Sequence, residues 1–64
     1  MNKKEQLRLT RAIHAGELDQ CWITLIDGRE FFALKTVIRP TGVIFHTRHE
    51  LIDSHVDQIL RAVH

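Results

Sequence analysis

Hydrophobic residues recur along this chain in more than one rhythm, and each rhythm predicts an element. From Asn2 to Ala15 good helix formers dominate, and Leu9 and Ile13 fall at i, i+4 with Ala12 beside them. That spacing puts one apolar stripe on a helix, with Gly16 placed to end it. After a polar connection at Glu17–Gln20 the period changes to two. Cys21–Ile26 sets Trp22, Thr24 and Ile26 on one face and Cys21, Ile23 and Leu25 on the other. Glu30–Ile38 then alternates Phe32, Leu34 and Ile38 against Phe31, Ala33 and Val37, with Lys35 and Thr36 between. A third apolar run follows at Val43-Ile44-Phe45. Asp27-Gly28 reads as a two-residue type I′ hairpin turn. In Arg39-Pro40-Thr41-Gly42 proline presets φ and glycine accepts the positive φ that lets the chain re-enter a strand. Cys21–Thr47 is therefore expected to form a three-stranded antiparallel meander.

Both faces of the first two strands are apolar. An antiparallel sheet with one wet face alternates apolar against polar, so each side of this one needs cover. A sheet rolled on itself supplies that, as do helices packed on the sheet together with a partner chain.

Beyond His46 the pattern predicts a helix. Thr47-Arg48-His49-Glu50 fits the capping box T-x-x-E, and Ile52, Val56, Ile59 and Val63 follow at i, i+4, i+7 and i+11. No glycine or proline interrupts residues 43–64. The expected fold is α+β, in the order α-β-β-β-α, with an N-terminal helix, the meander and a C-terminal helix. The alternative makes Arg48-His49 a tight turn, Glu50–Ser54 a fourth strand, His55–Gln58 a short bend, and Ile59 the start of a closing strand.

Composition narrows the setting. Sixty-four residues make one domain, and a chain this short buries only about 60% of its unfolded surface. Cys21 is the single cysteine, so no internal disulfide is possible and one thiol makes no zinc framework; a reducing cytoplasm fits. No stretch approaches the roughly 18 apolar residues of a membrane span, and the start MNKKEQLRLTR is too polar for a signal peptide. The formal charge is +1 but unevenly spread. Residues 1–15 carry Lys3, Lys4, Arg8 and Arg11 against Glu5, a local +3, and the remainder carries five basic against seven acidic residues, a local −2. That asymmetry predicts a positive patch on a nearly neutral body.

Ile23-Thr24-Leu25-Ile26-Asp27-Gly28-Arg29-Glu30-Phe31, preceded by a short helix, resembles the first half of the Sm motif as found in bacterial Sm-like (Hfq-type) proteins. Val43-Ile44-Phe45 is similar to that family's apolar third strand, and Val56-Asp57-Gln58-Ile59 stands about where its second conserved segment lies. The resemblance implies an Sm/SH3-like bent small β-barrel with an N-terminal helix, assembly into rings, and RNA binding. It covers most of the chain in outline and is specific in letters only at Ile23–Phe31. The family's glycine in the bend of the second strand is matched by Ala33, and the acidic residue usual after that strand is replaced around Arg39-Pro40. Asp57-Gln58 stands where the bacterial RNA pocket has a lysine-histidine pair, so no contact residue carries over from that pocket.

Several side chains can be tested for chemistry. Lys4, Arg8 and Arg11 at i, i+4, i+7 share a helix face that suits phosphate contacts, and Arg39 and Arg48 add cations from the turns. Trp22, Phe31, Phe32 and Phe45 could stack on bases if exposed, although phenylalanines on strands are more often core. His46, His49 and His55 lack the H-E-x-x-H or C-x-x-C company of a zinc site, and no signature of acid–base catalysis surrounds them. No metal, cofactor or enzymatic activity is expected. The reading is a cytoplasmic, non-enzymatic binding or regulatory module. It binds nucleic acid, RNA in preference to DNA, through Lys4, Arg8, Arg11, Arg39 and Arg48. The alternative is a protein-interaction or self-assembling domain, homo-oligomeric or with a protein partner, whose apolar sheet face presents Trp22, Ile26 and Phe31. No membrane association is expected.

Overall fold

The computed structural model describes residues 2–64 as α1 (Lys3–His14), β1 (Cys21–Leu25), β2 (Glu30–Ala33), β3 (Lys35–Arg39), β4 (Gly42–His46), β5 (Leu51–Ser54), a 3-10 turn at Val56–Gln58, and β6 (Ile59–Val63). The strands form two antiparallel three-stranded sheets in the orders β2-β1-β6 and β3-β4-β5. The class is α+β.

Helix α1 begins where Asn2 Oδ1 accepts the Glu5 N–H at 2.8 Å, which satisfies one of the amide groups orphaned at a helix start. It ends in a Schellman-type closure: Gly16, at φ +77°, donates its N–H to Ile13 and Glu17 donates to Ala12. Ile13 is buried, and Leu9 and Ala12 pack on the core beside it, as the apolar stripe predicts.

The first hairpin differs from expectation. Asp27 does not take positive φ, so no type I′ turn forms. The loop is three residues long: Gly28 N–H donates to Leu25 O at 3.0 Å and Leu25 N–H to Arg29 O at 2.8 Å. Only Gly28 is left-handed, at φ +96°, as in a type I turn closed by a glycine bulge. The Asp27 carboxylate accounts for the change, because it accepts both the Arg29 N–H (3.0 Å) and Nε–H (2.9 Å). The first of these bonds holds the Asp27 carboxyl below the ordinary carboxylate range against an opposing desolvation, with smaller help from the guanidinium's hydrogen bond and charge. Its stabilising contribution is therefore present above the ordinary value of about 3.9 and is lost as pH falls through the lower folded-state value. Acid titrations of thermal stability for wild type and Asp27→Asn should differ near neutrality and converge at the acid end.

The second predicted strand is two strands. Chain direction breaks at Leu34, whose N–H donates to His46 O (2.7 Å) in one sheet while its carbonyl accepts from Gln20 N–H (3.2 Å) beside the other. This corner passes the chain from the first sheet to the second. Leu34 and Lys35 are both exposed, and alternation resumes out of step. Phe32 thus faces outward while Thr36 and Ile38 face the core. A one-residue shift flips every later side chain to the opposite face, so the expected grouping of Phe32 with Ile38 does not occur.

The predicted C-terminal helix is absent. Residues 51–63 form β5, the 3-10 turn and β6, matching the placement given by the alternative reading of this segment. The Thr47 cap exists, but it closes a reversal. Its Oγ1 accepts the Glu50 N–H (3.1 Å), and its N–H and hydroxyl both donate to Glu50 O (2.9 Å each). The chain turns straight back along β4, with Phe45 opposite Ile52 and Val43 opposite Ser54. Ile52, Ile59 and Val63 are β-branched, which suits the pleat, and Val56 packs on the core from the 3-10 turn. Thr47→Val should lower unfolding free energy by about 1–2 kcal/mol, read from urea midpoints, with Thr47→Ser losing much less.

The two sheets enclose a core of Ile13, Leu18, Cys21, Ile23, Leu25, Ala33, Val43, Phe45 and Ile59. Buried Thr36 donates its hydroxyl to Leu18 O at 2.9 Å, and its N–H goes to Asp19 Oδ1 at 3.0 Å. These bonds tie the helix-to-strand connection to the second sheet. No barrel is closed: β5 and β6 are edge strands of separate sheets and do not pair with each other.

Candidate interaction surfaces

The inward faces of both sheets are spent on the core, and of the two outward faces that of the β2-β1-β6 sheet carries the exposed aromatic side chains. Register puts Phe32, Trp22 and Val63 in one row across that face. All three are open to solvent, at 38%, 51% and 49%. The Trp22 and Phe32 rings meet edge-on with centroids 5.4 Å apart, a geometry worth about 0.5–1.5 kcal/mol that fixes both rings. The next row is polar: Glu30, Thr24 and Arg61. Thr24 Oγ1 donates to Glu30 Oε2 at 3.1 Å, which orients the carboxylate. Exposed Leu34 continues the patch past Phe32, where Phe32, Leu34 and Arg48 line a shallow cavity of about 300 Å³. Scattered surface apolar residues need no explanation, but a contiguous patch does.

Of the interface residues expected from the sequence, Trp22 belongs to this face and Ile26 is exposed at the hairpin end of the same strand. Phe31 lies elsewhere. It faces inward, half-buried, with its ring edge-on to Phe45 at 5.1 Å. Phe32 is the phenylalanine beside Trp22. Val63, Glu30 and Arg61 could not be assigned from sequence, because their alignment follows from hairpin loop length and from β6 being a strand.

The expected nucleic-acid residues are brought to three places. Lys4, Arg8 and Arg11 line one groove on α1 together with Leu7 and the acidic Glu5 and Glu17, a cavity of about 830 Å³, and all three cations are exposed. Arg39 sits apart, in a cavity of about 580 Å³ between α1 and the 3-10 turn with Gln6, Thr10 and His55. Arg48 lies in the β4–β5 turn, beyond the opposite end of the β3–β4 ladder from Arg39. The helix cations share one groove; the turn cations do not extend it.

Comparison with protein-family models, curated proteins and solved structures finds no match to this chain. Function must therefore be argued from the residues themselves.

Chemistry at the remaining polar side chains is limited. Cys21 is fully buried and donates its thiol to Leu18 O at 3.1 Å. Burial, reinforced by the Asp19 charge, pushes that thiol up from its ordinary range, the opposite of what a nucleophile needs. Among the described residues no group of three or more His, Cys, Asp or Glu side chains is placed to hold a metal ion. Ser54 Oγ, which faces the core, is engaged by Gln58 Oε1 at 2.8 Å. Among the described residues no helix is long and apolar enough to cross a membrane.

Proposed function

We propose that this protein is a non-enzymatic binding module that associates through its own sheet, with copies of itself or with a protein partner. The observation that carries the reading is the exposed Phe32-Trp22-Val63 row on a sheet whose other face is already filled by core. The edge strands β5 and β6, each hydrogen-bonded to a strand on one side only, support it further, since open edges invite pairing. The bend at Leu34 and the path from β6 through β1, β2, β3 and β4 to β5 suit an opened form of the Sm-like small barrel that Ile23–Phe31 suggests. Light scattering across a concentration series tests the reading. A mass above that of one chain is expected, and a strict monomer at every concentration without any protein partner recovered would end it.

RNA binding is the second reading, favoured by the groove that Lys4, Arg8 and Arg11 share on α1. Three phosphate contacts on a single strand predict a log K against log salt slope of about −2. A mixed-sequence single-stranded RNA should bind at low salt and lose affinity in the double variant Arg8→Gln, Arg11→Gln. Absence of binding at low salt, or binding unchanged in that variant, removes this reading.

A further inference from the structure

The outward face of the β2-β1-β6 sheet is patterned to meet itself. We propose that two copies of this chain pack these faces together about a two-fold axis parallel to β1, with Glu30 of each copy against Arg61 of the other. The inference rests on the self-association reading above and names its partner, its symmetry and its contacts.

Strands β2 and β6 flank β1 on opposite sides, and Thr24 has Glu30 on one side and Arg61 on the other at the same level. A two-fold rotation about an axis along β1, lying between the facing sheets, exchanges left and right while keeping level. It therefore carries β2 of one copy over β6 of the other. Glu30 lands on Arg61 twice, Phe32 on Val63 twice, and Trp22 on Trp22 at the axis. Such an isologous contact has to be self-complementary, and both rows of this face are. A two-fold axis running across the strands at the level of Thr24 would instead keep β2 over β2 and β6 over β6, setting Glu30 on Glu30 and Arg61 on Arg61.

The charges are available for this use. Arg61 makes no ion pair among the described residues, where the single pair is Arg29 with Asp27. It stands on the far side of β1 from Glu30, two strand spacings or roughly 9–10 Å away. Facing sheets packed about 10 Å apart with strands within about 30° of parallel bring opposite-charge side chains into reach while the aromatic row fills the gap between them. A standard interface covers about 800 Å² per partner, close to a sixth of the 4644 Å² accessible on this chain. Leu34 beyond Phe32 and Ile26 beyond Thr24 extend the face toward that size.

Reciprocal charge reversal tests the geometry on the full chain. Trp22 is the sole tryptophan, so its emission reports burial of this face directly. Wild type should associate with a blue shift as concentration rises. Glu30→Arg alone and Arg61→Glu alone should each weaken association about tenfold or more, because each sets like charges together at two contacts. Mixing the two single variants should restore association, since every contact in the mixed pair is again Glu against Arg. Restoration by mixing also shows that both variants are folded, and circular dichroism of each alone checks the same point. Association that leaves Trp22 emission unchanged, or that neither reversal weakens, overturns this contact while leaving self-association standing through the β5 and β6 edges. A monomer at all concentrations overturns both.

Discussion

Phe45→Ala is expected to leave the domain close to its unfolding midpoint in buffer without denaturant. Phe45 has no solvent exposure and is among the largest fully buried side chains of the chain. It stands on β4, the central strand of its sheet, between Thr36 and Ile52, with its ring edge-on to Phe31. Truncating a buried phenylalanine costs about 3–5 kcal/mol, the lost transfer energy plus a cavity that the surroundings refill only in part. A domain of this length has roughly 3–10 kcal/mol in total at 0.05–0.15 kcal/mol per residue. The substitution removes a large part of that at the lower end. Urea denaturation should show a native baseline shortened or lost, whereas Phe45→Leu, which keeps most of the volume, should cost less than about 1.5 kcal/mol. Equal midpoints for Phe45→Ala and wild type would mean that the two sheets do not share this core. Phe31→Ala should fall between, because Phe31 is half-buried and its loss also removes the aromatic contact.

Phe45 also marks the limit of what could be read in the letters. Local periodicity placed it on an apolar strand, and placed Cys21, Ile23 and Leu25 together on one face, where all three are buried. Those assignments depend on neighbours two residues apart and survive any tertiary arrangement. The helix was legible for the same reason, since Asn2, the Leu9–Ile13 stripe and Gly16 act within single turns of chain. Assignments that failed needed information from across the fold. Whether Leu34 continues a strand or turns a corner is decided by His46 and Gln20, which claim its two backbone groups for different sheets.

The C-terminal segment failed for a different reason. Spacing of Ile52, Val56, Ile59 and Val63 satisfies a helix stripe, yet the same residues are β-branched, and β4 offers Leu51–Ser54 a ladder that an isolated segment does not have. Non-local pairing outweighed a propensity difference of a few tenths of a kcal/mol per residue. The surface followed suit. The grouping of cations on α1 was visible because helix spacing is local. The Glu30-Thr24-Arg61 row was invisible until β6 existed as a strand.

Gly42→Ala should produce the second large loss, by pushing two backbones apart. A methyl group there would fall 2.5 Å from the Ser54 carbonyl oxygen and 3.3 Å from His55 Nδ1, and Gly42 sits at φ +146°. His55 can move, but Ser54 is backbone in β5, locked opposite buried Val43. Strain at the dihedral and overpacking against the strand together cost about 2–5 kcal/mol. Gly28→Ala separates these effects, because its φ of +96° is also unfavourable while nothing lies within 4 Å of the added carbon; it should cost only about 1–2 kcal/mol. Hydrogen exchange should show Leu51–Ser54 losing protection first in Gly42→Ala, since the clash lies on the β4–β5 side. A Gly42→Ala midpoint no lower than that of Gly28→Ala would mean that β5 does not approach so closely. Because β5 lies in the opposite sheet from Trp22, the fraction of Gly42→Ala that stays folded should still associate with wild-type affinity, with weakening expected only if the β5 edge itself is the contact.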